Sequence, residues 1–373
     1  MSILFSILCL ITGLNEAIIL VTCYQLKDSA METPNGKMKG RLVFFLLGQT
    51  GMSLSSLESL KYKSTKSSPN YPDVIPSQWS ITSFKSVILN REMSIHVKAY
   101  QPDIIVFEAS VNIEDILSDF VLDLKKELLT EGRKILNQYN CNTDFCEEYS
   151  VYCVSEYKGN FEEFVAKFGG KIVSHLKNER LTLDEEEINS TLTYHLKYAQ
   201  DDMAIVDWDG AFLFDPNRAF EENIELFQIA NLQLLRYRTI DRRLDERLSA
   251  SLELQRGGPK SALHSGKVRD RLLEIMQIRT ESILETESVE YPIKLIGDWY
   301  SAKLYNLISK KFHLDTWKGN INKKLDTIED IYTMAAENFA ISSKNRAELL
   351  LLGGWFILLV GWSILLVVEI MTR

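Results

Sequence analysis

Residues Leu349–Val368 read LLLLGGWFILLVGWSILLVV, twenty residues without a charge. At a rise of about 1.5 Å per residue the run spans roughly 30 Å, the thickness of bilayer hydrocarbon. Buried helices of soluble cores rarely run this long without one polar face. The run therefore predicts a transmembrane helix over 347–370, and the rest of the chain must be arranged about it. Lys344 and Arg346 precede it, and only Glu369, Ile370, Met371, Thr372 and Arg373 follow. The basic flank thus lies on the side of the large preceding domain, which is expected to face the cytoplasm, or the mitochondrial matrix in a eukaryote. The expectation is a membrane protein with a single pass at its C-terminus.

The first 26 residues are also apolar, but Asn15 and Glu16 interrupt them and no lysine or arginine precedes Lys27. A secretory signal begins with basic residues. Two readings remain open: a second span at residues 3–24, with Lys27, Lys37, Lys39 and Arg41 on the same side as the head, or a strand or loose extension containing Ala17–Tyr24. A charge near the bilayer centre, at about 2.5–3.5 kcal/mol, counts against the span.

The 373 residues are 46% hydrophobic and 25% charged, which excludes disordered, collagen-like and disulfide-stapled chains. With 51 acidic against 42 basic side chains the net charge is −9, and nucleic acid is not an expected partner. A mean hydropathy near zero averages a polar body with the apolar run. Of the five cysteines, Cys141, Cys146 and Cys153 stand in C-x4-C-x6-C, with no histidine beside them. That is no zinc spacing, and free thiols in a reduced compartment are expected.

Between 41 and 215 the sequence alternates short β-branched and aromatic runs with helical ones. Residues 41–48, 93–100, 103–111, 149–157 and 203–215 read as strands, the last with a hairpin turning at Asp209-Gly210. Helices are predicted over Ile113–Leu136 and Phe161–Leu176, and a polar loop over Lys61–Pro76. Asp215 can cap, and Pro216 can open, a helix running to Gly257-Gly258-Pro259. A second helix covers about 267–289 and a third begins near Pro292. From Leu314 onwards Trp317, Ile321, Leu325, Ile328, Tyr332, Ala335 and Phe339 recur at threes and fours. The fold class expected is an α+β head domain, then a long α-helical, coiled-coil-like stalk, then the transmembrane helix. The domains are an apolar segment at 1–40, the head at 41–215, the stalk at 216–346 and the anchor. The stalk is expected to fold back on the 216–256 helix or to pair with another subunit, making a homo-oligomer.

AIVDWDGAFLFD at 204–215 is the sharpest motif. A hydrophobic strand ending in Asp-x-Asp-Gly resembles the first motif of haloacid dehalogenase phosphatases, where the first Asp is nucleophile and the second acid/base beside Mg2+. Here those residues would be Asp207 and Asp209. Ala211 replaces the usual Thr, and helices follow where further strand–helix units are needed, so a plain hairpin is the stronger reading. GGPKSALHSGK (257–267) echoes a phosphate loop but lacks its first Gly and its Ser/Thr. Asp184–Glu187 reads as solvated charge. RYRTIDRRLDER (236–247) reads as helix-surface ion pairing. Histidines 96, 175, 195, 264 and 313 are scattered. No catalytic, metal-binding or cofactor-binding residue is assigned, and no cofactor is expected. Gly354 and Gly361, one face apart by seven residues, could admit a partner helix in the membrane.

RLVFFLLGQTGMSLSSLESL (41–60), DIIVFEASVNIEDIL (103–117), DEEEI (184–188) and a helical pair ending in one membrane helix resemble the Required for Meiotic Nuclear Division family. YAQDDMAIV (198–206) stands near the place of that family's His-Ala-Leu-Ala-Gln-Ser stretch. The resemblance implies an oligomeric, membrane-tethered protein that supports other machinery, and it supplies no catalytic residues to carry over. The expected function is a scaffold that binds a cytoplasmic protein partner. The alternative is a membrane-bound Mg2+-dependent phosphatase using Asp207 and Asp209.

Overall fold

The computed structural model describes residues 38–51, 63–64, 78–100, 103–156, 161–199, 202–218, 220–256, 273, 276–277, 279–280 and 299–372. The elements are β1 (Gly40–Thr50), β2 (Lys63–Ser64), β3 (Gln78–Ile88), β4 (Arg91–Tyr100), β5 (Ile104–Ile113), α1 (Asp119–Gln138) and β6 (Cys141–Val154). They continue with α2 (Phe161–Leu176), α3 (Glu185–Thr193), β7 (His195–Leu196), β8 (Met203–Val206), β9 (Gly210–Phe214), α4 (Glu221–Arg256), α5 (Trp299–Lys311) and α6 (Leu314–Thr372). The chain divides into two compact units, one of residues up to Tyr237 with Thr286–Asp315, the other of Arg238–Glu285 with Thr316–Arg373.

The first unit is the α+β head. Its sheet runs β2-β3-β4-β5-β1-β6-β9-β8-β7, every neighbouring pair antiparallel except β6 with β9. Central β1 is apolar without alternation because both of its faces are covered, the pattern of a strand inside a layered fold. Leu42, Phe44 and Leu46 join Phe107 and the α1 and α2 side chains Val121, Leu124, Leu128, Phe164 and Ile172. On the opposite face the rings of Phe45, Tyr149 and Phe227 follow one another at 5.6 and 5.3 Å, carrying the core into α4. Fully burying each such side chain contributes about 1.5–3 kcal/mol. Residues 221–237 and 299–315, which the sequence assigns to a stalk, therefore pack with the head.

Several boundaries differ from expectation for local reasons. Strand β3 is half-exposed and rich in Ser, Thr and Lys, so no apolar run marks it. The first half of β6, CNTDFCEE, is polar in the same way. Helix α1 starts at Asp119 rather than Ile113: Ile113 completes β5, and Ile116 and Leu117 are buried before the N-cap Ser118. Helix α4 starts at Glu221 rather than Pro216, because the Asp215 carboxylate accepts the Asn217 N–H (2.8 Å) in a local turn and Arg218 takes φ 62°, which no α-helix contains. Asp184–Glu187 opens a helix the sequence reading lacks, Asp184 accepting the Glu186 N–H as N-cap (3.0 Å).

In the second unit, Asp241 and Asp245, one turn apart on α4, both hold Lys324 of α6 at 2.6 and 2.7 Å. Arg279 pairs with Asp326 (3.5 Å) and Glu329. Arg242 meets Glu246 at 3.9 Å, the i,i+4 pairing its cluster suggests. Among the described residues one stretch is long and apolar enough to cross a membrane, Glu348–Leu365 of α6, and none of it is buried inside the molecule. Residues 1–37, the 257–267 segment and most of 267–289 lie outside the described residues, so the readings made there stand untouched.

Candidate functional site

The hairpin of the DWDG motif forms, with one correction. The Asp207 N–H donates to the Gly210 carbonyl (2.8 Å) and Val206 pairs with Ala211, so the turn is Trp208-Asp209 and Gly210 already belongs to β9. Gly210 is required for a different reason than a left-handed turn. A Cβ there would stand 2.9 Å from the Ser150 carbonyl oxygen of β6, a backbone atom that cannot retreat. Trp208 at the tip packs against Phe312 and His313, ring centroids 5.7 and 6.5 Å away.

Asp207 is buried, and two lysines distant in sequence hold its two oxygens: Lys311, the last residue of α5, at 2.7 Å and Lys177, just after α2, at 3.3 Å. Lys177 also holds Glu187 of α3 at 2.7 Å, and the Lys311 ammonium lies 4.3 Å from the centre of the Tyr194 ring. Burial alone would raise the Asp207 pKa; the Lys311 bond and charge, the Trp208 N–H and Lys177 outweigh it and hold the carboxyl below its ordinary value.

Asp209 has different surroundings. Burial pushes its pKa up, Lys125 of α1 opposes this, and Asp207 adds to it. Lys125 is itself buried within the apolar stripe of α1, and burial brings its ammonium down to about 8 against the pull of Glu148 and Asp209. Its Nζ donates to the Tyr152 hydroxyl (3.2 Å), which donates to the His175 carbonyl (2.9 Å). Burial also raises Glu148, with Lys125 opposing. A cavity of about 350 Å³ opens here, lined in part by Lys125, Glu148, Leu122, Leu129 and Arg180.

The motif residues are therefore brought together with lysines that sequence reasoning missed. Lys125 in α1, Lys177 just after α2 and Lys311 at the end of α5 come from three separate parts of the chain, and no local spacing joins them. The one legible signal was Lys125, a cation in the apolar stripe Val121, Leu122, Leu124 and Leu128. As chemistry, the arrangement is an ion-pair network that ties hairpin to helices. Both Asp207 oxygens are engaged by ammonium groups, and β8 returns at once as antiparallel β9. Among the described residues no group of three or more His, Cys, Asp or Glu is placed to hold a metal ion. Cys141 and Cys153 are buried free thiols, both pushed up to about 12 by burial, and Cys146 is a half-buried one. Each ring nitrogen of buried His175 faces a backbone carbonyl, of Lys171 (2.9 Å) and Ser118 (3.1 Å), joining α2 to the start of α1.

Residues 39–221 match the family described as Uncharacterized protein MJ0711, N-terminal domain, which corresponds to the sheet and its helices up to the start of α4. The chain is similar to Uncharacterized protein MJ0711 of Methanocaldococcus jannaschii, 28% identical over 308 residues that cover 81% of this chain and 90% of that protein. No solved structure matches the chain.

Proposed function

We propose that the chain is a membrane-anchored, partner-binding protein without catalytic activity of its own. The observation that carries this is the α6 run: from Glu348 to Leu365 none of it is buried among the described residues, with Leu350 and Trp362 78% and 72% exposed. In water so large an apolar surface is unfavourable at about 25 cal/mol per Å2. In a bilayer it is solvated. Lys344 and Arg346, a basic flank before the run, support a cytoplasmic α+β head. The 3/4 apolar spacing of 314–339 supports a helical stalk, and Gly354 and Gly361 support close helix approach between copies. The reading agrees with what the Required for Meiotic Nuclear Division resemblance implies, an oligomeric tether that serves other machinery.

The phosphatase alternative has no observation in its favour, since Asp207 serves the ion-pair network. The binding reading is tested by crosslinking in the native membrane followed by capture of the full chain. A reproducible protein partner crosslinked to the head supports it, and capture of the chain alone contradicts it. The mass of the detergent-solubilised protein tests the oligomer, which a strict monomer removes.

A further inference from the structure

The cavity of about 350 Å³ beside α1 lies at the small end of the range for small-molecule sites. Leu122, Lys125 and Leu129, spaced three and four apart, give it one side of α1; Phe44 and Glu148 come from the sheet, and Leu181 from the chain after α2. In the β1–β6 register Glu148 stands opposite Leu46, Ser150 opposite Phe44 and Tyr152 opposite Leu42, so the three β6 residues form one row on the sheet face that α1 covers. Lys125 crosses to that row. Its Nζ donates to the Tyr152 hydroxyl (3.2 Å), and within the row the Ser150 Oγ, shielded from solvent, has no hydrogen-bond partner.

Lys125 differs from the other two lysines of the network. Lys177 and Lys311 each hold a carboxylate, whereas Glu148 and Asp209 attract the Lys125 ammonium only at longer range, and burial brings it down to about 8. A buried ammonium with one neutral hydrogen bond costs stability and ties nothing together by charge. What a desolvated amine supplies is nucleophilicity, through a neutral fraction near pH 7 that exposed lysines lack.

We propose that Lys125 captures a small apolar aldehyde in this cavity as a covalent imine. Walls of Phe44, Leu122, Leu129 and Leu181 suit a short hydrocarbon chain. The neutral Nζ attacks the carbonyl carbon, and the C–N bond forms as the carbonyl electron pair passes to oxygen. A proton moves from nitrogen to that oxygen; the resulting hydroxyl takes a second proton and departs as water, leaving a C=N bond. That second proton is the one the ammonium released at the outset, so ammonium and aldehyde give a protonated imine and water. Glu148, in the cavity wall and with its carboxyl pushed up by burial, can hold the proton meanwhile. The product stays cationic beside Glu148 and Asp209, whereas an acyl or carbamate product would set a neutral or anionic group there. The capture is binding without turnover, and it needs neither the anchor nor a protein partner.

The test treats the full chain in detergent with limiting butanal and cyanoborohydride, which reduces the imine to a stable alkyl amine, and locates the alkyl group by peptide mapping. At pH 7 Lys125 is alkylated at least about tenfold faster than Lys171, exposed on α2. The preference shrinks towards pH 10, where exposed amines lose their protons too, and it vanishes in guanidinium, where the cavity is gone. Leu181→Trp, at an exposed position of the wall, slows alkylation of Lys125 and leaves that of Lys171 unchanged. Equal rates at the two lysines at pH 7 overturn the proposal. So does a preference for Lys125 that persists in guanidinium or that Leu181→Trp leaves intact.

Discussion

Lys125 carries a cost that its position makes explicit. Its ammonium loses hydration inside α1's apolar stripe and keeps one neutral hydrogen bond, to Tyr152. The unfolded chain holds this proton up to the ordinary 10.5, whereas the folded chain releases it near 8, so unfolded molecules bind more protons in that window. Stability attributable to Lys125 therefore rises with pH between those values. Lys125→Met, similar in length and apolar, is expected to stabilise the protein by about 1–2 kcal/mol at pH 7, with the gain shrinking towards pH 10. Thermal melts at both pH values check this, and a Met variant less stable at pH 7 would refute it. Asp207 has the opposite sign. Its depressed carboxyl contributes stability above the ordinary 3.8, lost as pH falls through the folded value. Asp207→Asn leaves two ammonium groups facing an amide and should cost about 2 kcal/mol at pH 7, below the full cost of a broken buried pair because both lysines touch solvent. The difference between wild type and variant should shrink in melts as pH falls below 3.8. At this scale the sequence shows Asp207 and Asp209 as a conspicuous pair and conceals their meaning, because the lysines that hold Asp207 arrive from thirty residues away on one side and about a hundred on the other.

At the scale of elements, what was legible followed the period of burial. Strands β1, β4 and β5 and helix α2 announce themselves through apolar runs or threes and fours; β3 and the start of β6 do not, being polar and part-exposed. The β3–β4 turn was hidden for a second reason. Leu89 and Asn90 take φ 48° and 59° between the paired Ile88 and Arg91, the geometry of a type I′ turn, without the Asn-Gly sequence that favours it. Replacing Leu89→Asn and Asn90→Gly together should relieve this backbone and stabilise the protein by about 1 kcal/mol. No gain in the denaturation midpoint would count against the turn assignment. Gly210 gives the reverse case. Gly210→Ala forces a methyl against the Ser150 carbonyl and parts β6 from β9, and a loss of about 2 kcal/mol or more is expected in the same assay. A fully tolerated alanine would show that the parallel β6–β9 contact is looser than 2.9 Å implies.

For the whole molecule, the twenty-residue apolar run was the strongest inference from sequence, and α6 supplies it as one continuous helix from Leu314 to Thr372. The boundary of the head was less legible. Helical periodicity in 221–237 looks the same whether the helix stands in a stalk or lies on a sheet, and only the Phe45–Tyr149–Phe227 stack decides between them. The proposed anchor requires α6 to be solvated by lipid. The most direct measurement fuses residues 340–373 to a soluble carrier and follows it through flotation with vesicles after an alkaline carbonate wash. The carrier is expected to float and to resist the wash. Leu358→Arg with Leu359→Arg, at about 2.5–3.5 kcal/mol for each central charge, should abolish both. A carrier that stays in the soluble fraction, or a doubly substituted one that floats as well as the parent, would contradict the membrane anchor.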